Sequence, residues 1–586
     1  MPDTQLAFDE FVLDGVRRRL VRRDGRPVAL PPRLFDALQY FVQRPGDLLD
    51  KETLMAALWP GAVVEENNLN QVVSSLRQLL GDSTKGSRYI QTVPRRGFRF
   101  VAEVGPVRAA AAGASPPLPR LAVLPFKPLV SDGRDELLEV GMADSLIARL
   151  STLPGLAVLS VGSVRRFAGP DQDPLQAARV LAADWVVDGT LQRRGEQLRA
   201  VARLLRVADG AALWTSSLAA QAGGVFEVQD ALCSELGAAM ARALGADPAV
   251  AAAGPEPGGT RSVEAYRWYL QGVSKMLLQR GSELRESIDA FRHAVVTDPL
   301  YARAWVGLAD AHRRAAFVGE LAPRPAYAEV AAAVRQALAL VPGLGEAHAT
   351  LAYQHLFDFD IDAAEAGFRR SLQLNPNLPL GHFGLGQLLL ALRGSDAGLS
   401  HLARARELDP LQPLYGALEA SFLRVAGQGA AAQQRLAQTL AMAPGMPLAH
   451  LVQAQAHLDA GDAEAGLAAL QRAVALSGGA PIFQGLLGHY LARTGQAQAA
   501  QAILQALHGR ARAGYLPAST IALVLAGLGE GPAALDALEL AWQQGDGRLL
   551  LIRDQPYWQA LRHEPRFVRL LARMRLDNDT NGVYNP

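Results

Sequence analysis

Residues 67–77 read Asn-Asn-Leu-Asn-Gln-Val-Val-Ser-Ser-Leu-Arg, and their chemistry is that of reading nucleic-acid bases. Leu69, Val73, Leu76 and Leu80 recur at helical spacing and make one apolar stripe. The opposite face carries Asn68, Gln71, Ser74 and Ser75. Asn and Gln pair bidentately with adenine, and Ser pairs with several bases, in a major groove. The candidate contacts on this helix are Asn67, Asn68, Asn70, Gln71, Ser74, Ser75 and Arg77. Arg88, Thr92, Arg95, Arg96 and Arg99 follow as wing and backbone candidates. Between residues 67 and 104 six cations face two carboxylates, a local charge of +4. Positive charge beside a polar helix face suits phosphate contacts for affinity and polar tips for readout.

The elements that must position these groups are legible around them. Leu6–Val12, Arg18–Arg22 and Pro27–Leu30 read as short strands. Pro31-Pro32 opens a helix that buries Leu34, Phe35, Leu38 and Phe41, and Pro45-Gly46 ends it. Asp50 caps a second helix, which stops at Trp59-Pro60-Gly61. The third helix runs from about Asn67 to Leu80, and residues 89–101 read as a hairpin tipped by Pro94–Gly97.

This order of strands, three helices and a Tyr-Ile-Gln-Thr-Val…Gly-Phe-Arg-Phe wing closely resembles the OmpR/PhoB-type winged-helix DNA-binding domain, the DNA-binding domain of phosphorelay regulators. The resemblance implies that the third helix enters the major groove. Asn68, Gln71 and Ser75 then fall at base-facing positions, and Ser74 and Arg77 near the backbone. Arg99 falls at the wing arginine that enters the minor groove. Many family members carry Arg where Ser75 stands, so the implied base preference differs. The loop between the second and third helices, with Val63, Val64, Glu65 and Glu66, is implied to touch RNA polymerase. No receiver domain precedes the winged helix, so control is expected from the C-terminal side. That order resembles CadC-like bacterial regulators, but the transmembrane helix that follows their winged helix is replaced here by an Ala/Pro-rich stretch.

Over the whole chain of 586 residues, 58 basic residues meet 57 acidic ones, so the net charge of +1 hides the local cluster. Hydrophobic residues make up 49% and charged residues 20%, which excludes a largely disordered chain. All basic residues but Lys51, Lys85, Lys127 and Lys275 are Arg, a bias that codon composition explains. Cys233 stands alone, so neither an internal disulfide nor a cysteine zinc site can form. Met1–Glu10 lacks the features of a signal peptide, and no apolar run reaches membrane-spanning length. The expectation is a cytoplasmic protein without a membrane partner.

Two Ala/Gly/Pro stretches, Gly105–Pro119 and Asp247–Thr260, read as linkers. The expected layout is therefore a winged helix at 1–104, a linker at 105–119, an α/β domain at 120–246, a linker at 247–261 and a repeat array at 262–576. The middle segment alternates apolar strands (Leu121–Phe126, Leu156–Val161, Trp185–Gln192) with helices, and ends in a hairpin turning at Ala208-Asp209-Gly210 and a helix at Val225–Leu244. It resembles the TolB N-terminal-like domain, which implies a sensory or coupling role. In the last segment Pro299, Pro342, Pro376, Pro410 and Pro444 fall at intervals of 43, 34, 34 and 34 residues. The 34-residue period is that of the tetratricopeptide repeat. Leu351, Ala352, Ala364 and Phe368, then Leu385, Gly386, Gly398 and Leu402, occupy matching positions. About seven to eight units are expected, with an unidentified protein or peptide as the partner of the groove. Arg165–Arg166, Arg313–Arg314 and Arg369–Arg370 are candidate anion or groove contacts, though such pairs are mostly solvated helix faces.

The fold class expected is multidomain and mainly α: an N-terminal winged helix-turn-helix, a central α/β TolB-like domain and a C-terminal α-solenoid. No Walker loop, metal-spaced His/Cys cluster or nucleophile elbow occurs, so neither catalytic residues, metal nor cofactor are expected. Gly381–Gly386 and Gly527–Gly531 look Gly-rich but fall where paired repeat helices need small residues. The function expected is a one-component transcription regulator in signal transduction, binding double-stranded promoter DNA, with a homodimer on paired half-sites. The alternative is a repeat scaffold in which the winged helix is only an interaction module.

Overall fold

The computed structural model describes residues 6–9, 11–14, 19–22, 27–28, 30–59, 66–82, 87–94, 96–102, 104–106, 118–128, 135–153, 155–169, 171–194, 197–221, 224–245, 258–276, 281–393 and 396–577. The chain forms two compact units, Met1–Pro117 and Leu118–Pro586.

In the first unit β1 (Leu6–Phe8), β2 (Phe11–Asp14), β3 (Arg19–Arg22) and β4 (Pro27–Val28) form an antiparallel meander. Leu6–Val12 is therefore not one strand but a hairpin, with Phe8 opposite Phe11 and Asp9 at φ 47° in the turn. The reason lies in the pleat. Phe8 and Phe11 are three residues apart and both fully buried, and a period of two cannot place both on one face. Helix α1 (Pro32–Val42) starts with Pro at its first position, where the missing N–H costs nothing. Strand β5 (Leu48–Leu49) follows, then α2 (Lys51–Leu58). The Asp50 side chain caps α2 by accepting from the Thr53 N–H at 2.7 Å. Helix α3 (Glu66–Leu80) leads to β6 (Ile90–Val93) and β7 (Gly97–Phe100), and β8 (Val104–Pro106) returns to pair with β1. The second sheet runs β5-β7-β6. The core is an aromatic cluster in which Phe8 packs on Phe11, Tyr89 and Phe100 at centroid distances of 5.2–5.8 Å.

In the second unit β9 (Arg120–Val123), β10 (Lys127–Pro128), β11 (Ala157–Val158), β12 (Trp185–Arg194), β13 (Gln197–Arg206) and β14 (Ala212–Gln221) form one sheet in the order β11-β9-β12-β13-β14, with β10 also on β12. The strand expected at Leu156–Val161 is shorter, because Ser160 caps a helical turn at Val161–Val164. The β13–β14 hairpin turns at Asp209-Gly210, with Gly210 at φ 71°. Helices Glu136–Leu150 and Val225–Ala243 are the long helices of this segment.

Among the described residues eight helix pairs follow, from Val263–Met276 and Gly281–Thr297 to Ala518–Leu528 and Gly531–Gln544, and then helix Pro565–Arg573. This is a tetratricopeptide-like α-solenoid. Close approach explains the small residues: a Cβ on Gly384 would meet Phe368 at 2.1 Å, and one on Gly307 would meet Phe291 at 2.4 Å. The nine extra residues of the 43-residue interval lengthen both helices of that pair, Ala302–Val318 and Pro323–Leu340. The array also closes on itself. Arg324 Nε donates to the Gln543 carbonyl at 3.0 Å, Arg553 to the Ala391 carbonyl at 2.8 Å, and Arg575 pairs with Asp362 at 2.8 Å.

The α/β segment and the solenoid are packed together within the second unit. Asn377 Nδ2 donates to the carbonyls of Ser151 at 2.8 Å and Leu156 at 2.7 Å. Ser163 Oγ donates to the Asp409 carboxylate at 2.5 Å, and Arg303 pairs with Asp144 at 3.0 Å. Two of the three arginine pairs depart from the solvated-face expectation. Arg165 donates to Ser274, and Arg313 is buried against Asp310. Arg369 stays exposed, paired with Glu365. Among the described residues no helix is long and apolar enough to cross a membrane.

Candidate nucleic-acid interface

Helix α3 is held by Leu69, Val73, Leu76 and Leu80, all buried in the first unit's core. Its other face is open: Asn67, Asn68, Asn70, Gln71 and Ser74 are exposed and Ser75 is half-buried. Gln78 is exposed too. Asn67, Gln71, Ser74 and Gln78 follow the +4, +3, +4 spacing of a single helix face. Gln78 was absent from the sequence candidates, although that spacing singles it out.

The hairpin β6–β7 stands beside this helix. Asp82 fixes its start by accepting backbone N–H groups from Arg88 at 2.7 Å, Tyr89 at 3.1 Å and Ile90 at 2.9 Å. Gly97 fixes its return. A Cβ there would lie 2.0 Å from the Leu49 carbonyl oxygen, and φ is +143°. Only glycine lets β7 lie against β5 at this point. Phe98 and Phe100 are buried, so the alternating Arg99 falls on the other face, directly opposite Gln91. Arg99 Nε is enclosed without a hydrogen-bond partner among the described residues.

Arg77 bonds within the domain. Its Nε and Nη2 donate to the Ile90 carbonyl at 3.1 and 2.7 Å, and Nη2 reaches Thr92 Oγ1 at 2.7 Å. It ties α3 to the wing, and Thr92 is the acceptor at the far end of that tie. Arg88 pairs with Asp9 at 2.5 Å, and Tyr89 OH donates to the same carboxylate at 2.7 Å. Arg96 is exposed at the hairpin tip. Arg95 and Lys85 lie outside the described residues, as do Val63, Val64 and Glu65, while Glu66 is the first residue of α3. The geometry thus brings the polar helix face, Arg96 and Arg99 into one compact unit, in which Arg77 and Arg88 also bond to neighbouring groups.

Residues 25–100 match the family described as transcriptional regulatory protein, C terminal. Residues 118–235 match the family described as HilA/YgeH-like transcriptional regulator, second domain. The transcriptional regulator HilA of Salmonella typhimurium is 28% identical over 194 residues, covering 32% of this chain and 32% of its own length. The transcriptional activator CadC of Escherichia coli K12 is 36% identical over 85 residues, covering 14% of this chain and 17% of its own. The chain therefore spans about a third or less of the length of these curated relatives. Among solved structures, the DNA-binding domain of E. coli CadC is similar at 27% identity, covering 18% of this chain and 99% of that one, with a TM-score of 0.16. The N-terminal domain is a winged helix of the OmpR/PhoB type.

Proposed function

We propose that this chain is a one-component transcription regulator. Its winged helix binds promoter DNA, and the α/β segment and solenoid set that activity in response to a partner or ligand. The observation that carries the reading is the open Asn67-Gln71-Ser74-Gln78 face of α3, beside the cationic wing. In this reading α3 lies in the major groove, Asn68, Gln71 and Ser75 contact base edges, and Arg99 reaches the minor groove. Arg88, Arg95 and Arg96 contribute to the cationic side that meets phosphates. The loop before α3, residues 63–66, is the proposed polymerase contact. The protein acts in the cytoplasm, without a catalytic step, and two copies occupy paired half-sites. The domain limits proposed are 1–104, 120–246 and 262–576.

The test is a gel shift of full-length protein, and of residues 1–117, on DNA upstream of its own gene across a salt series. Binding should weaken steeply with salt, because each neutralised phosphate contributes about 0.9 to the log–log slope. Arg99→Ala should weaken binding. Asn68→Ala or Gln71→Ala should change sequence preference, at about 1–3 kcal/mol for a lost bidentate base contact. Absent or salt-insensitive binding by residues 1–117 would overturn the reading in favour of a repeat scaffold.

A further inference from the structure

The second unit contains a cavity of about 420 Å³ between the solenoid and the α/β segment. That volume lies in the range of pockets that enclose a small organic ligand, roughly 300–1,000 Å³. Tyr269, Phe291, Phe317, Tyr353, Phe383 and Tyr415 line it, in a chain that is only 6% aromatic. The rings already pack as a framework: Phe383 on Tyr415 at 4.9 Å and Tyr353 on Phe368 at 5.0 Å between centroids. On the α/β side Ser160, Val161 and Gly162 close the wall.

Charged groups stand inside this apolar space. Asp310 accepts from Arg313 through one oxygen, at 2.9 and 2.5 Å, and from Arg314 Nε through the other, at 2.7 Å. Two guanidiniums share this one carboxylate, and Glu346 and Asp409 also stand on the wall. Burial acts to raise the Asp310 carboxyl, but the Arg313 and Arg314 charges outweigh it and hold the group well below the usual carboxylate range, so the carboxylate stays ionised. Arg313 is occupied on its face by the Tyr353 ring, 4.5 Å away. Arg303 is committed to Asp144. The terminal nitrogens of Arg314 hold no hydrogen bond to the described residues, and Arg314 lines the cavity. Thr350 Oγ1, also on the wall, is fully buried and unbonded among the described residues. A buried donor without an acceptor costs free energy that a ligand oxygen would recover.

We propose that this cavity binds a small aromatic monocarboxylate, its rings between Phe291, Tyr353 and Phe383 and its carboxylate on the terminal nitrogens of Arg314. A carboxylate supplies the acceptors that the terminal Arg314 donors lack, which neither an alkylammonium nor a hydrocarbon ring does. The cavity is walled by both segments of the unit, so an occupant touches the α/β loop and the repeat helices together. The proposal goes beyond the regulator reading and does not rest on it, since its readout is binding to the chain rather than to DNA.

The probe is 4-benzoylbenzoate, an aromatic carboxylate that crosslinks on irradiation. Calorimetry with the full-length protein should give saturable binding at one site per chain. The matched cation, 4-(aminomethyl)benzophenone, should bind at least tenfold more weakly. Irradiation should label peptides from helices Ala302–Val318, Gly345–Phe357 or Pro379–Arg393. Arg314→Gln should lower affinity at least tenfold with unchanged far-UV circular dichroism. If that variant unfolds, the labelling pattern of the unmodified protein decides. No saturable binding, equal affinity for the amine, labels mapping elsewhere, or unchanged binding by a folded Arg314→Gln protein would each overturn the proposal.

Discussion

Arg77 links two functions that a substitution can separate. Its guanidinium spans from α3 to the Ile90 carbonyl and the Thr92 hydroxyl, so it orients the wing against the recognition helix. Arg77→Met keeps the aliphatic stem and removes these charge-assisted bonds. Such bonds contribute about 1.5–3 kcal/mol when enclosed, and half-exposure here reduces that to about 1–2 kcal/mol. Urea unfolding of residues 1–117 should show this loss, while the salt slope of DNA binding stays unchanged. Arg96→Met should do the reverse: stability unchanged, and a slope shallower by about 0.9. A shallower slope for Arg77→Met would return that residue to the phosphate contacts. The polar face of α3 was legible from residue type and helical spacing alone. The partner of Arg77 was not, because it is a carbonyl thirteen residues away across a tertiary contact. A second residue carries a pH signature. His489 is buried, and its Nδ1 donates to the Leu523 carbonyl at 3.0 Å. Burial holds the ring down to about 4, with the Leu523 bond opposing and Arg493 assisting. Because the folded value lies below the unfolded one, His489 adds stability that is complete above about pH 6.5 and is lost as pH falls toward 4. The loss is at most about 1.4 kcal/mol per pH unit. The urea midpoint of full-length protein should fall between pH 7 and pH 5, and His489→Asn should make that fall shallower.

The elements were legible where one period dominates and obscure where two elements abut. The helices α1 to α3 and the 34-residue repeat stood out because their apolar spacing is regular over many residues. The β1–β2 hairpin was masked because Asp9-Glu10 between its strands includes no Gly, Pro or Asn to mark a turn, and the two-residue β5 has too few residues for any periodicity. Strand β14 bears on assembly. It ends the sheet order and runs ten residues, Ala212–Gln221, without a charged side chain. Edges of this kind are ordinarily blunted by charge or proline, because their free N–H and C=O groups template another strand. An antiparallel pairing of β14 with β14 of a second copy has twofold symmetry, which matches the dimer proposed for paired half-sites. Thr215 and Ala219 are exposed on this strand. Thr215→Lys combined with Ala219→Lys should convert a dimer to a monomer in sedimentation and abolish cooperative binding to paired sites. Binding of residues 1–117 to a single site should be untouched. A double variant that still sediments as a dimer would place the interface elsewhere.

At the scale of the molecule, the composition drop at residues 247–260 marks where large apolar side chains are missing. It carries no information about whether the segments on either side touch. They do touch, through contacts more than 150 residues apart in sequence that no local pattern encodes: Asn377 to Ser151 and Leu156, Ser163 to Asp409, and Arg303 to Asp144. Asn377 is 4% exposed and satisfies two α/β carbonyls with one amide. Asn377→Leu would leave both carbonyls without that donor, at about 1–3 kcal/mol for each buried group left unsatisfied. If the α/β segment and the solenoid fold as one cooperative body, residues 118–586 should melt in a single calorimetric transition, and Asn377→Leu should move that whole transition down. Two transitions, with only the lower one shifted by the substitution, would make the contact a docking between independently stable bodies. The distinction bears on regulation. In a single cooperative body, a ligand that stabilises the wall between the segments stabilises all of it by RT ln(1 + [L]/Kd), so occupancy of the cavity registers throughout the unit rather than at one helix.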